Sequence, residues 1–483
     1  MVYKFKIDLN LLKIIAFRSE FMKILLVRYH DSGNINTRLP ESLNEVQGVY
    51  PPLGIAYIAA NLEKNGFEVK ILDAQALNLL SNEAKDFIIR EKADVVGITC
   101  MTPNFQGALE AARFAKEGGA IVVLGGPQIS TYPKESIDYD FVDYAIEGEG
   151  EEAFLELVKR IRERKPIHGI KGLVYKRMGK IYSNGPVIVE DLDSIPMPSW
   201  HLLPMEKYKC ILTKRPFVTM ITSRGCPYQC GFCFKSYTDK VNRRHSPKRI
   251  VDEIEYCIKK YKIKEVMFYD DTFTLRREHV EGICNEIIER KIRIKWESPT
   301  RLNVVDENLL RLMKKAGCFR LRYGIESGDE RILKLMRKGI SLEMALEVFR
   351  LTKKMGIQRF AYFIIGYYSD TEKSIKNTIS FAKKLDPDWV MFTAATPLPK
   401  TNLFELCVKD GLIDENYWLD FMRGKNDGRM GYLVRDTEKW VKMAYFELYY
   451  RPSFILKKLL NVGGFYEFSN LLKGAVAILK IKT

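Results

Sequence analysis

Apolar residues recur along this chain in short strand-length runs that alternate with segments of helical period. From Met22 to about Arg164 the runs are KILLVR (23–28), EVKILD (68–73), DVVGITC (94–100), AIVVLGG (120–126) and the start of VDYAIEGEGEEAFLELVKRI (142–161). Segments with helical spacing at 53–66, 81–92, 104–117 and the end of 142–161 separate them, the first closed by Gly66 as a C-cap. Five β-α units of this kind predict an α/β domain over 22–164. It is a doubly wound parallel sheet that binds its ligand at the carboxyl ends of the strands.

Residues 165–216 read differently. IKGLVYKRMGKIYSNGPVIVE predicts a hairpin with Met178 and Gly179 in its turn, and DLDSIPMPSWHLLP a proline-rich linker. The alternation then resumes over 217–400. Strands are expected at 217–222, 265–270, 293–298, 319–326, 358–366 and 389–396, with helices such as 247–261, 275–290 and 370–385 between them. Six such strands predict a partial (β/α)6 barrel, with its chemistry at the carboxyl ends of the strands. Residues 401–483 predict a helical region that is aromatic and basic, and residues 1–21 an extension to which no function is assigned.

With 483 residues the chain exceeds what one core holds, so two or three domains are expected. Its net charge of +16 is spread along the chain, which predicts a solvated basic surface. An anionic partner such as lipid headgroups, nucleic acid or a phosphorylated substrate is the alternative. Nine cysteines without a secretory signal predict reduced thiols and a cytoplasmic protein. No apolar run reaches the roughly 18 residues that a spanning helix needs. The C-terminal region predicts a helical cap on the barrel or, alternatively, a surface for peripheral membrane contact.

Three of the cysteines cluster: Cys226, Cys230 and Cys233 in SRGCPYQCGFCF (223–234), just past the first strand of the barrel. Three thiolates suit three irons of a four-iron cluster, or three positions on zinc with His245 as fourth ligand. A four-iron cluster usually takes four cysteines, so three leave one iron open. A closed zinc site usually pairs two CxxC units, and no second one exists here.

The Cx3CxφC spacing, with Phe232 as the aromatic φ, resembles that of radical S-adenosylmethionine enzymes. The resemblance implies a [4Fe-4S] cluster on Cys226, Cys230 and Cys233 whose open iron binds S-adenosylmethionine. One electron from a flavodoxin- or ferredoxin-type donor then cleaves the sulfonium to methionine and a 5′-deoxyadenosyl radical. FYDDTFT (268–274), YGIESGDE (323–330) and FIIGYYSDT (363–371) look like further family motifs. They assign Asp270, Asp271, Glu326 and Gly366, with Phe232, to S-adenosylmethionine; a helix N-cap is the alternative for Asp271 or Thr272. Arg224, Arg243, Arg244 and Ser246 flank the loop as in cobalamin-binding members. The chain departs from the family at Tyr367-Tyr368-Ser369-Asp370, where Leu-Pro-Gly-Glu is usual, and at Lys400, where glycine is common.

The first sheet resembles the Rossmann-like B12-binding domain of these enzymes, through PPLGIAYIAANLEKNGFEVKILDA (51–74), VVGITCMT (95–102), VLGGPQ (123–128) and EGEGE (147–151). Leu53, Gly54, Thr99, Gly125, Gly126, Gly148 and Glu149 are thereby assigned to cobalamin, with ordinary turns as the alternative for the glycines. RYHDSG (28–33) keeps His30 and Gly33 of the histidine-ligating pattern but has Arg28 where an aspartate is needed, so cobalamin without histidine ligation is expected. Gln128 stands where relatives often carry histidine. The branch resembled holds anaerobic magnesium-protoporphyrin cyclases and cobalamin-dependent radical methyltransferases. It implies methylation of an unactivated carbon on a small-molecule or lipid substrate, or else oxidative cyclisation; a non-catalytic cobalamin- or lipid-binding module is the third alternative. Nucleic acid is not expected: tRNA methylthiotransferases need three further N-terminal cysteines, and only Cys100 and Cys210 precede Cys226.

Overall fold

The computed structural model describes residues 22–30, 48–234, 241–460, 473 and 476. The expected extension 1–21, Gly33 and most of the chain after residue 460 lie outside the described residues. The chain forms two compact units, one built mainly from Pro52–Val189 and the other mainly from Met205 onward.

In the first unit β1 (Lys23–Arg28), α1 (Leu53–Lys64), β2 (Glu68–Asp73), α2 (Ser81–Glu91), β3 (Val95–Thr99), α3 (Phe105–Glu117), β4 (Ile121–Gly125), β5 (Tyr144–Ile146) and α4 (Gly150–Glu163) follow in the order expected. The five strands are parallel, in the spatial order β2-β1-β3-β4-β5. Leu26, Leu62, Phe154 and Leu157 are among the side chains that bury the seam between sheet and helices. One boundary differs from expectation. The hairpin assigned to the linker forms β6 (Leu173–Arg177) and β7 (Lys180–Ser183), which extend the same sheet antiparallel beyond β5. Leu173, Val174 and Tyr175 are buried in it, so burial of this strand carries the unit past residue 164.

The second unit contains β8 (Phe217–Met220), β9 (Ser223–Arg224), β10 (Arg243–Arg244), α5 (Pro247–Tyr261), β11 (Glu265–Phe268), α6 (Arg277–Glu289), β12 (Lys295–Thr300), α7 (Glu307–Lys315), β13 (Cys318–Glu326), α8 (Glu330–Leu335), α9 (Leu342–Lys354), β14 (Gln358–Ile365), α10 (Glu372–Leu385) and β15 (Trp389–Ala394). Six parallel strands stand in the order β15-β14-β13-β12-β11-β8, an open barrel as expected. Helix α5 shows how local sequence sets these elements. Ser246 accepts from the Arg249 N–H and Pro247 begins the helix, while Ile250, Val251, Ile254 and Cys257 form its buried face.

Beyond the barrel lie α11 (Asn402–Lys409), α12 (Tyr417–Met422), α13 (Thr437–Tyr449) and α14 (Pro452–Leu460). The hydroxyls of Tyr445 and Tyr449 on α13 each accept from and donate to the backbone of β15, at Phe392 and Val390, over 3.0–3.2 Å. They satisfy an edge strand that would otherwise present open pairing groups. The inner face of α13 thus caps the barrel, as one reading of the sequence expected. No helix of the described residues is long and apolar enough to cross a membrane.

Candidate active site

The cysteine loop is an excursion from the carboxyl end of β8, closed by antiparallel pairing of β9 with β10. Asn242 holds its neck by donating to the Gly225 carbonyl at 2.9 Å. Asp271 accepts from the Gly225 N–H at 3.0 Å, which places this carboxylate one residue from Cys226. The apex is fixed at Gly231, whose N–H donates to the Met336 carbonyl and whose carbonyl accepts from the Leu403 N–H, both at 2.8 Å.

Cys230 is buried, and Cys226 and Cys233 are partly buried. Arg301, at the end of β12, donates from Nη1 to Cys230 Sγ at 3.3 Å. Its Nη2 donates to the Lys338 carbonyl, and its guanidinium lies 3.7 Å from the ring centroid of Tyr228. The Cys230 thiol is pulled down to about 5 by a hydrogen bond with Cys233 and by the Lys338 and Arg301 charges, against the cost of burial. It is therefore held as thiolate, the form that ligates iron. Among the described residues no three His, Cys, Asp or Glu side chains converge on one metal ion, and His245 Nδ1 is engaged with Asp193 at 3.0 Å. A cluster that takes one thiolate per iron fits the loop.

Beside Phe232 stands a buried ion pair. Lys338 Nζ is 2.8 Å from Glu326 Oε1 and 5.7 Å from the Phe232 ring centroid. A side chain at Gly324 would begin 2.3 Å from Glu326 Oε1 and 2.7 Å from Lys338 Nζ, so this glycine makes the room for the pair. One carboxylate and one ammonium together match the ammonium and carboxylate of an amino acid.

Two of the residues expected at S-adenosylmethionine have close protein neighbours. Asp270 is buried, and its two oxygens accept from the backbone N–H and hydroxyl of both Thr222 and Ser223 at 2.5–3.3 Å. That carboxylate ties the end of β8 to the end of β11. Gly366, at φ +72°, would drive a side chain to within 2.3 Å of Thr437 Oγ1. Its close approach is to the start of α13. Arg301, Lys338 and Gly324 were not expected from the sequence; of these Lys338 has a chain signal, in the basic run LKLMRKG after YGIESGDE, while Tyr367 stands there only as a departure from the family pattern.

In the first unit Thr99 and Gly125 are register partners at the carboxyl ends of β3 and β4. A side chain at Gly125 or Gly54 would meet no atom within 4 Å, and Met101, just past β3, is exposed. Open backbone and apolar side chain at this edge fit a broad, flat ligand such as a corrin. The other assigned residues have internal duties. A side chain at Gly126 would begin 2.5 Å from the Cys100 carbonyl oxygen, and one at Gly148 2.2 Å from that of Val187. Glu149 accepts from the Val189 N–H at 2.6 Å, and Leu53 is buried in α1. Arg28, which displaces the expected aspartate, pairs with Asp73 at 3.6 Å.

Two buried histidines lie behind the loop. His245 Nδ1 is 3.0 Å from Asp193, and His279 Nε2 is 3.0 Å from the Thr222 hydroxyl. Burial, with the Arg249 and Arg244 charges respectively, pushes both from 6.5 down to about 4. A depressed folded value means that stability is present above pH 6.5 and is lost as pH falls towards 4. We expect a loss of about 1–2 kcal/mol per histidine between pH 7 and pH 5, read from urea-unfolding midpoints. His279→Gln should flatten that profile, and an unchanged slope would contradict the assignment.

The chain matches the profile of the Radical SAM superfamily over residues 220–382 and that of the B12 binding domain over residues 42–158. It is 34% identical over 454 residues to an uncharacterized methyltransferase of Pyrococcus horikoshii, covering 92% of this chain and 96% of that one. It is 30% identical to the anaerobic magnesium-protoporphyrin IX monomethyl ester cyclase of Rubrivivax gelatinosus, covering 80% and 70%. In fold it is similar to the cobalamin-dependent S-adenosylmethionine radical enzyme OxsB, with a TM-score of 0.73 and 17% identity, covering 96% of this chain and 72% of that one. An enzyme whose cofactors are a [4Fe-4S] cluster, S-adenosylmethionine and cobalamin follows from that company, and the chain belongs to the radical SAM superfamily, in the branch that carries a B12-binding domain.

Proposed function

We propose that this enzyme methylates an unactivated carbon of a small-molecule or lipid substrate. The observation that carries this reading is the match to a methyltransferase along 96% of that relative's length, both cofactor domains included. When bound, the cofactors supply the electron, the hydrogen-abstracting radical and the methyl group. The chain's own residues bind and orient them. Cys226, Cys230 and Cys233 hold the cluster, with Arg301 fixing Cys230. Phe232, Glu326 and Lys338 hold S-adenosylmethionine, the ion pair facing its amino-acid end, and Asp271 fastens the neck of the loop. Gly54, Thr99 and Gly125 leave the edge of the first sheet open to cobalamin.

The test is anaerobic reconstitution with cobalamin, S-adenosylmethionine labelled in its methyl group, a flavodoxin-type reductant and a metabolite extract from a deletion strain. Label in a new product together with 5′-deoxyadenosine is expected. Abundant 5′-deoxyadenosine with no labelled product would instead favour the cyclase chemistry of the second relative.

A second reading concerns where the substrate is met. About 100° round α13 from the face that packs on β15, Phe446 is exposed and stacks at 4.3 Å on exposed Tyr450 just past the helix, and α14 adds exposed Ile455 and Leu456. An outward apolar stripe in a basic chain suits peripheral docking on an anionic bilayer. Co-sedimentation with phosphatidylglycerol vesicles, weakened several-fold by Phe446→Ser with Leu456→Ser, is expected. Equal binding to phosphatidylcholine, or none to either, would sink the idea.

A further inference from the structure

Tyr367 occupies one of the positions where the chain departs from its family. Its side chain is fully buried, and its hydroxyl has no hydrogen-bond partner among the described residues. An unsatisfied buried hydroxyl is destabilising, and phenylalanine would fill the same space without that cost.

The hydroxyl is aimed at the cysteine loop. A side chain at Gly231 would begin 2.9 Å from it, so the loop comes as near to the phenol as a glycine permits. Both backbone polar groups of Gly231 are already engaged, with Met336 and Leu403, and do not serve as its partner. Burial first, then the neighbouring Cys407, Cys230 and Cys233, push the phenol well above its usual value. It is consequently protonated, a donor facing a site built from sulfur.

We propose that Tyr367 donates its O–H to a sulfur of the iron–sulfur cluster carried by this loop, and thereby raises the cluster's reduction potential. The inference rests on the reading of the loop as a cluster site and adds a residue that tunes it. A hydrogen bond to sulfur stabilises the more negatively charged reduced cluster, one of the recognised controls on its potential. It also explains why a tyrosine is buried here with no hydrogen-bond partner for its hydroxyl among the described residues.

The experiment compares wild type, Tyr367→Phe and Tyr368→Phe after anaerobic reconstitution. Tyr368 is a control, since its hydroxyl donates to Asp410 at 2.5 Å. Iron and sulfide are quantified, and the reduced cluster is followed by electron paramagnetic resonance during a redox titration. Tyr367→Phe is expected to keep full cluster content while its midpoint moves negative. At fixed potential the reduced-to-oxidised ratio should fall about tenfold, or about 59 mV for one electron; Tyr368→Phe should not move. Independently of any variant, electron–nuclear double resonance of the wild type in deuterated buffer should show a coupled exchangeable deuteron. An unmoved or more positive midpoint in Tyr367→Phe, or no such deuteron, overturns the proposal and leaves a hydroxyl satisfied by water. A wild-type chain that binds no cluster removes the cluster reading itself, a separately visible result.

Discussion

Replacing Cys230 with alanine is expected to abolish cluster absorbance and to reduce 5′-deoxyadenosine formation below detection, while the chain stays folded. Cys230 is the most deeply placed of the three thiols. The Cys233, Lys338 and Arg301 side chains all act to hold it as thiolate. Without it the loop offers two thiols, too few to seat a cluster that already lacks one protein ligand. The fold should tolerate the change. Arg301 keeps its bond to the Lys338 carbonyl and its stacking on Tyr228, and Gly231 keeps both backbone bonds. The expected loss of thermal stability is thus only a few degrees. The checks are iron content, the visible spectrum, chromatographic assay of 5′-deoxyadenosine and a melting curve. Retained iron and cleavage in C230A would show that the ligand set has been misread.

The largest effect on stability is expected from Glu297→Ala. Glu297 is fully buried, and its carboxylate takes Arg320 at 2.9 Å and Arg322 at 2.5 Å. Arg320 also donates to the Leu212 carbonyl. Desolvation alone would raise this carboxyl, but the Arg322 and Arg320 charges hold it below its usual range. Truncation leaves two guanidinium groups in the barrel with their shared counter-charge gone. Removing one member of a buried pair costs roughly 3–5 kcal/mol, and here one carboxylate serves two cations. Denaturant unfolding followed by tryptophan fluorescence is the measurement, since Trp296 precedes Glu297 on the same strand. Glu297→Gln, which keeps volume and an acceptor oxygen, should lose less. If E297A unfolds at the wild-type midpoint, the triad contributes nothing.

The barrel and the doubly wound sheet were legible because parallel strands such as β1, β3, β8 and β11 are buried on both faces and so are written as largely apolar runs. The hairpin β6–β7 was legible as a hairpin, yet its membership of the first sheet was not. Pairing of Tyr144 with Tyr175 depends on which edge the folded sheet leaves open, and no local pattern encodes that. Asp270 and Asp271 show the same limit at one step in the chain. Both read as carboxylates at a strand end, but in the fold the first bonds to Thr222 and Ser223 and the second to Gly225.

By itself, then, the sequence determined the chemistry of initiation. Three thiols spaced by four and three residues form a local device, and their spacing survives any arrangement of the rest of the chain. The tertiary structure alone decided what surrounds those thiols. Arg301, Lys338 and Tyr367 are drawn from strand ends and turns far along the chain and meet the loop only because parallel strands deliver all their carboxyl ends to one rim. Charge, proton donation and desolvation at a buried sulfur fall off within a few ångströms, so the groups that tune it are chosen by proximity in the fold and leave no regular spacing in the chain.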